Sequence, residues 1–279
     1  MRARPARLGL LAAALVLTML INPMTTATAE RGWQNGVWYE IFVRSFQDSD
    51  GDGVGDLQGV IQRLPYLAEL GVSGIWLMPI HPSPSYHGYD VIDYLDVNPD
   101  YGTLDDVKEL LQAAHALGIR VIIDFVPNHS SSRHPWFEAA AAGDPAFRDY
   151  YVWSADPPDW RGTRGGSAWH LNPVAANDHY LGLFSPGMPD LNHRNEHVRA
   201  AFQDVARFWL ELGIDGFRVD AIQHMVESES GQISNTPETY EWVREFVAFM
   251  KAEAPHAFIV GETWTEMPAI IRYHEAAAL

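Results

Sequence analysis

Two carboxylates that close apolar runs are the residues best placed for chemistry. Ile214 to Val219 alternates in the manner of a short buried strand and leads through Arg218 and Val219 to Asp220. Arg218 and Asp220, two apart, leave a strand on the same face, and an arginine beside a carboxylate favours its ionised form. A carboxylate kept anionic at a strand's C-terminal end is what covalent attack on a sugar carbon requires. The same pair also suits a purely structural ion pair at a strand end. Phe258 to Gly261 is a second apolar strand, ending on Glu262, Thr263 and Trp264; Val121 to Val126 is a third, carrying Asp124 and ending on Asn128 and His129. Three strands that deliver polar groups at their C-terminal tips, separated by helical stretches, describe one rim of a parallel β/α barrel.

In this order the motifs resemble the α-amylase family, glycoside hydrolase family 13, over nearly everything from residue 33 onward. The resemblance implies an α/β fold, a (β/α)8 TIM barrel of which this chain holds about five of eight strands, with a subdomain inserted after strand 3. It implies that Asp220 is the nucleophile, that Glu262 is the general acid/base and that Arg218 keeps Asp220 ionised. The reaction would be retaining hydrolysis through a covalent glycosyl-enzyme intermediate, which places two carboxyl groups about 5–5.5 Å apart. Glu262 would then need a raised pKa and Asp220 would stay anionic. His129 would bind substrate hydroxyls, with Asp124 and Asn128 supporting the rim. Tyr89 and His87, in His87-Gly88-Tyr89-Asp90, would meet the sugar at the cleavage point, and His224 the sugar beyond it. Ala221 resembles α-1,4-acting members, whereas Gln223 stands where many amylases carry lysine or arginine.

The elements that must position these groups can be followed along the chain. Val37 to Val43 reads as the first strand, and Asp48 to Asp56 as an acidic, glycine-rich loop suited to a hard cation. An acidic solvated turn is the alternative. By resemblance, calcium would be held by Asp48, Asp50, Asp52 and Asp56 and the carbonyl of Val54. A second site would use Asn128 and the carbonyl of His224. Helices are expected over 57–70, 103–117, 196–212 and 237–254, with a Thr103/Asp106 capping box and Gly71, Gly118 and Gly213 as stops. Gly74 to Ile80 reads as the second strand. Domain organisation is therefore expected as barrel strands 1–3 over 30–130, an inserted domain over 131–190, and strands 4–5 over 191–279.

The 131–190 stretch is too long and irregular for a barrel crossover and carries Trp136, Trp153, Trp160 and Trp169. It closes on Met188-Pro189-Asp190-Leu191-Asn192, which resembles the subgroup between oligo-1,6-glucosidases and neopullulanases. Five strands cannot close an eight-stranded barrel. The chain is therefore expected to be the front portion of a longer enzyme, and inactive if it stands alone.

Thirty-six acidic against 19 basic residues give a formal charge of −17, which argues against nucleic acid or anionic membrane as partner. There is no cysteine, so thiol chemistry and thiolate metal sites are excluded. Arg2, Arg4 and Arg7, the apolar block Leu8 to Ile21 and the small residues Ala27-Thr28-Ala29 read as a signal peptide cleaved after Ala29. A membrane anchor is the alternative, with a block short of the roughly 20 residues a span needs. The expected protein is a secreted monomeric α-1,4-glucan hydrolase of α-amylase type, needing calcium and no organic cofactor. The rival readings are an α-glucosidase or glucan transferase of the same family, and a non-catalytic homologue.

Overall fold

The computed structural model describes residues 32–278, so the expected signal segment lies outside the described residues. Five parallel strands make one sheet: β1 (Val37–Ile41), β2 (Val72–Leu77), β3 (Arg120–Phe125), β7 (Gly216–Val219) and β8 (Phe258–Gly261), hydrogen-bonded in that order. Between β3 and β7 lie β4 (Trp153–Ser154), β5 (Trp169–Leu171) and β6 (His179–Leu181), a separate antiparallel sheet ordered β4-β6-β5. The helices are α1 (Val43–Phe46), α2 (Leu57–Glu69), α3 (Leu104–Ala116), α4 (Pro135–Ala141), α5 (Glu196–Leu212), α6 (Pro237–Glu253) and α7 (Met267–Ala277). Successive parallel strands joined through α2, α3, α5 and α6 are consistent with part of a β/α barrel.

The helices start where side chains accept orphan N–H groups. Asp56 accepts from Gly59 N at the head of α2, and Thr103 and Asp106 form the reciprocal box at the head of α3. Gly213 ends α5 at a φ of 114°, a conformation that disfavours any residue with a Cβ.

Pairing aligns Glu40 with Trp76, Trp76 with Ile122, Asp124 with Arg218, and Arg218 with Val260. Alternation then sends Trp38, Trp76, Ile122, Asp124 and Arg218 to one face. Ile41, Ile75, Leu77, Val121, Ile123, Phe125, Phe217 and Val219 go to the other, where they join the main hydrophobic core. The sheet is strongly curled: Trp38 on β1 stacks on Phe258 on β8 at 5.0 Å, although these are its two edge strands. Val37 and Val260, on those edge strands, remain exposed.

Several element limits differ from expectation. The first strand stops at Ile41 and the chain turns into α1, because the acidic loop folds back: Gly55 N donates to Arg44 O and Asp56 N to Gln47 O. A Cβ at Gly55 would sit 2.1 Å from Val43 O, so this close approach needs glycine. The second strand stops at Leu77 rather than Ile80, since Pro79 cannot donate to a ladder. The fourth expected strand is shorter at its start, Gly216 rather than Ile214, whose N–H turns back to Trp209 O.

Candidate active site

The tips of β3, β7 and β8 converge on one guanidinium. Arg218 Nη1 lies 2.6 Å from Asp124 Oδ1 and also bonds Asp220 Oδ1, while Nη2 is 2.6 Å from Glu262 Oε1. Asp124 comes beside Arg218 through strand register, Asp220 by standing two residues on, and Glu262 by following the end of β8. Asp124, Arg218 and Asp220 are buried, whereas a quarter of the Glu262 side chain is exposed. The Trp76 indole donates to Asp124 Oδ2 at 2.8 Å, and Tyr89 OH donates to the same oxygen at 3.4 Å. Trp76 and Tyr89 place their rings 5.1 and 5.7 Å from the Arg218 Cζ, within cation–π range. Beside the cluster is a cavity of about 560 Å³ lined by Trp38, Trp76, Phe258, Glu262 and Trp264.

Three carboxylates share one cation, so the cluster has too much negative charge to be fully ionised at low cost. Burial pushes Asp124 up to about 7 against the pull of Arg218, and burial likewise raises Asp220 well above the usual carboxylate range. For Glu262, partial burial acts upward. It is outweighed by the Trp264 indole (2.8 Å), Arg218 and the Ala221 N–H (3.1 Å), so the net shift is down. This reverses the expected polarity, in which Glu262 was to be raised and Asp220 anionic. The reason is geometric: the strand-end aspartate is sealed inside, while the half-buried glutamate collects three donors. Ala221 contributes its N–H from a left-handed conformation, φ 48°, unusual for a residue with a side chain.

The other expected site residues fall at graded distances from this centre. His129 is buried beyond the tip of β3; its Nδ1 meets Asn128 Oδ1 at 3.0 Å, and its Nε2 makes no hydrogen bond of good geometry. Burial lowers its pKa to about 4, so the ring is neutral. His87 is exposed and stacks on Tyr89 at 6.0 Å. His224 has both nitrogens engaged inside the chain: Nδ1 donates to Ile233 O at 2.7 Å and Nε2 accepts from Gln223 Nε2 at 3.0 Å. It offers its ring rather than a free polar atom.

Sequence reading missed Trp76, Trp264 and Phe184. Phe184 packs against both His129 (5.1 Å) and His224 (5.5 Å) and brings the β4–β6 segment into the site. Trp264 stood in the motif after Glu262 without a role, Trp76 lay inside the expected second strand, and Phe184 carried no signal.

In the acidic loop, Asp48, Asp50 and Asp56 bring one oxygen each within 4.8 Å of one another. These are hard oxygen donors of the kind calcium takes. Asp52 is not in this trio; its Oδ1 accepts from Val54 N at 2.7 Å. Backbone N–H groups of Gly51 and Gly53 hold Asp48 below the usual carboxylate range. At the expected second site, Asn128 Nδ2 donates to His224 O at 2.7 Å.

The profile of the α-amylase catalytic domain matches residues 40–278. The chain is 43% identical over 247 residues to Alpha-amylase 3 of Dictyoglomus thermophilum, covering 88% of this chain and 47% of that protein. It is 45% identical over 208 residues to Maltase 1 of Drosophila virilis, covering 71% of this chain and 33% of that one. Among solved structures, the trehalose-6-phosphate hydrolase of Bacillus licheniformis superposes with a TM-score of 0.83 at 36% identity, over 88% of this chain and 48% of that one. The chain spans half or less of the length of these relatives. It belongs to the α-amylase family, glycoside hydrolase family 13.

Proposed function

We propose that the full-length protein is a retaining glycosidase of α-amylase type, acting on the α-1,4 linkages of starch and maltooligosaccharides. The observation that carries this reading is the buried Arg218 guanidinium shared by Asp124, Asp220 and Glu262 at three strand tips. Asp220 attacks the anomeric carbon, and Glu262 gives its proton to the leaving glycosidic oxygen as the bond to it breaks. Glu262 then takes a proton from water, which cleaves the glycosyl ester and frees Asp220. Asp220 must be anionic for the attack and Glu262 protonated. Asp220 lies within hydrogen-bonding reach of Glu262, so one proton shift between them sets the reactive arrangement. Neutral His129, buried beside Phe184, and Tyr89 bind sugar hydroxyls; His87, His224 and Phe184 shape the rim.

In the same reading the chain is the front part of an eight-stranded barrel, with 131–190 as the inserted domain. Residues 1–29 are a signal peptide, and the enzyme is a secreted monomer. Calcium, when bound, would neutralise and stiffen the acidic loop; Asp48, Asp50 and Asp56, with Asp52 and the carbonyl of Val54, would hold it.

The test is hydrolysis of maltooligosaccharides by the full-length protein, with products resolved by length, beside Asp220→Asn and Glu262→Gln. Internal cleavage abolished by both substitutions is expected. Activity that survives both would remove the assigned pair, and a wild type with no activity would favour a non-catalytic homologue. A second reading, an α-glucosidase or glucan transferase, draws support from identity to a maltase as high as that to an amylase. Release of glucose only, or of longer transfer products, would select it.

A further inference from the structure

We propose that Gln223 is a positioning residue: its side-chain amide ties the His224 ring to the main chain of Trp264 and so holds the Trp264 indole on Glu262. The inference rests on the functional reading above, in which Glu262 is the acid/base.

Gln223 is buried, and its two polar atoms have different partners. Oε1 accepts from Trp264 N at 2.8 Å and Nε2 donates to His224 Nε2 at 3.0 Å. The direction is forced. A main-chain N–H can only donate, and His224 gives its one proton, on Nδ1, to Ile233 O. Rotating the amide by half a turn would break both bonds at once.

Trp264 has little else to hold it. The residue is 81% exposed, so packing does little to fix the ring. The hydrogen bonds that anchor it are the main-chain N–H to Gln223 and the indole Nε1 to Glu262 Oε1. The loop after β7 meets the loop after β8 at further points. Ala221 N donates to Glu262 Oε2, and the Ile222 side chain sits where a Cβ on Gly261 would collide at 2.8 Å. Asn235 Nδ2 donates to Thr265 Oγ1 at 2.8 Å. Gln223 is the strap that reaches the residue touching the carboxylate.

The groups facing Glu262 are Arg218 and Asp220 from β7 and its tip, Asp124 from β3, Tyr89 from the loop after β2, His224, and the Trp264 indole. The indole stabilises the carboxylate, so loosening it moves the Glu262 pKa up. Glu262 must be protonated to act. The alkaline limb of kcat/KM, which reports the free enzyme, should therefore move to higher pH.

The experiment compares full-length wild type, Gln223→Met, Trp264→Phe and the double variant, with Asp220→Asn and Glu262→Gln as controls. For Gln223→Met, kcat is expected to fall about fivefold with KM within about twofold, the scale of one neutral hydrogen bond. The alkaline limb should move up by about half a unit, in the same direction as in Trp264→Phe. In the double variant, Gln223→Met should add no further shift, because its effect passes through the indole. An unmoved limb in Gln223→Met, or independent shifts that sum, overturns the strap.

Amide exchange at Trp264 N–H gives a readout that needs no activity, with exchange about tenfold faster expected in Gln223→Met. If Gln223→Met does not melt cooperatively, Gln223→Glu replaces it, since it keeps the acceptor for Trp264 N–H and should keep the protection. Lost protection in Gln223→Glu overturns the strap as well. Controls that retain activity sink the functional reading; controls that are inactive beside an unmoved limb sink only the strap.

Discussion

The β3–β7 pair carries an Arg–Asp contact at each end, and the two ends are opposites. At the N-terminal end Asp215 accepts from Arg120 Nη1 (2.9 Å), His115 Nε2 (2.7 Å) and Val121 N (2.8 Å). One carboxylate there has three donors. At the C-terminal end one arginine serves Asp124, Asp220 and Glu262, and the three carboxylates compete for it. Both ends pair an arginine and an aspartate across β3 and β7, with His115 added at the first and Glu262 from the end of β8 at the second. What separates a fastening from a reactive site is the balance of charge and donors. The first end is satisfied, whereas the second holds an excess of negative charge that one mobile proton can relieve in more than one way. The acidic loop is a third arrangement, carboxylates that converge with no Lys or Arg ion pair among the described residues, and open to calcium.

The largest effect should come from neutralising the reactive end. Asp220→Asn and Glu262→Gln are expected to lower initial rates on maltooligosaccharides on the order of 10⁴-fold with no loss of Tm. Activity and Tm falling together would erase the contrast between the ends. Removing the shared cation should cost stability as well. Arg218→Met leaves buried carboxylates uncompensated and should destabilise by about 3–5 kcal/mol in a urea melt.

Acid should act through the buried imidazoles. Burial lowers the pKa of His81, His129, His134 and His193 to about 4, against 6.5 for an unburied ring. Between those values these four rings hold more protons in the unfolded chain than in the folded one, whereas the raised Asp124 and Asp220 act in the opposite sense. The imidazole contribution to stability should therefore be full above about pH 6.5 and be lost as the pH drops to about 4. His129→Gln should flatten part of that slope in urea midpoints measured across the window.

Calcium at saturating concentration, about 100 times Kd, should raise stability by about 2.7 kcal/mol, with the gain lost in Asp48→Asn. The smallest effect belongs to the fastened end. Asp215→Asn should cost about 1–3 kcal/mol in stability while kcat/KM stays within about twofold. A large loss of kcat/KM there would show that the two ends are coupled.

Much of this was legible before any coordinates. The spacing of Arg218 and Asp220 placed both on one strand face, and the capping box at Thr103 and the stop at Gly213 marked helix ends, because these depend on neighbours a few residues apart. The strand limits were less legible. Only the return of Gly55 to Arg44 O shows why β1 ends at Ile41. Gln223 illustrates the limit most clearly. By position it stood only where many amylases carry lysine or arginine, yet its amide oxygen accepts from Trp264 N across 41 residues of sequence.

The sequence by itself determined the parallel β/α order, the carboxylates at the strand tips and the family, since periodicity and short motifs are local. Only the tertiary structure decided that Asp124 joins Asp220 and Glu262 on one guanidinium, and that Asp48, Asp50 and Asp56 converge in the acidic loop. It also decided which carboxyl group is raised and which lowered. Those outcomes depend on how deeply each group is sealed from water and which donors reach it from other elements, and burial and donor count are properties of the packed chain.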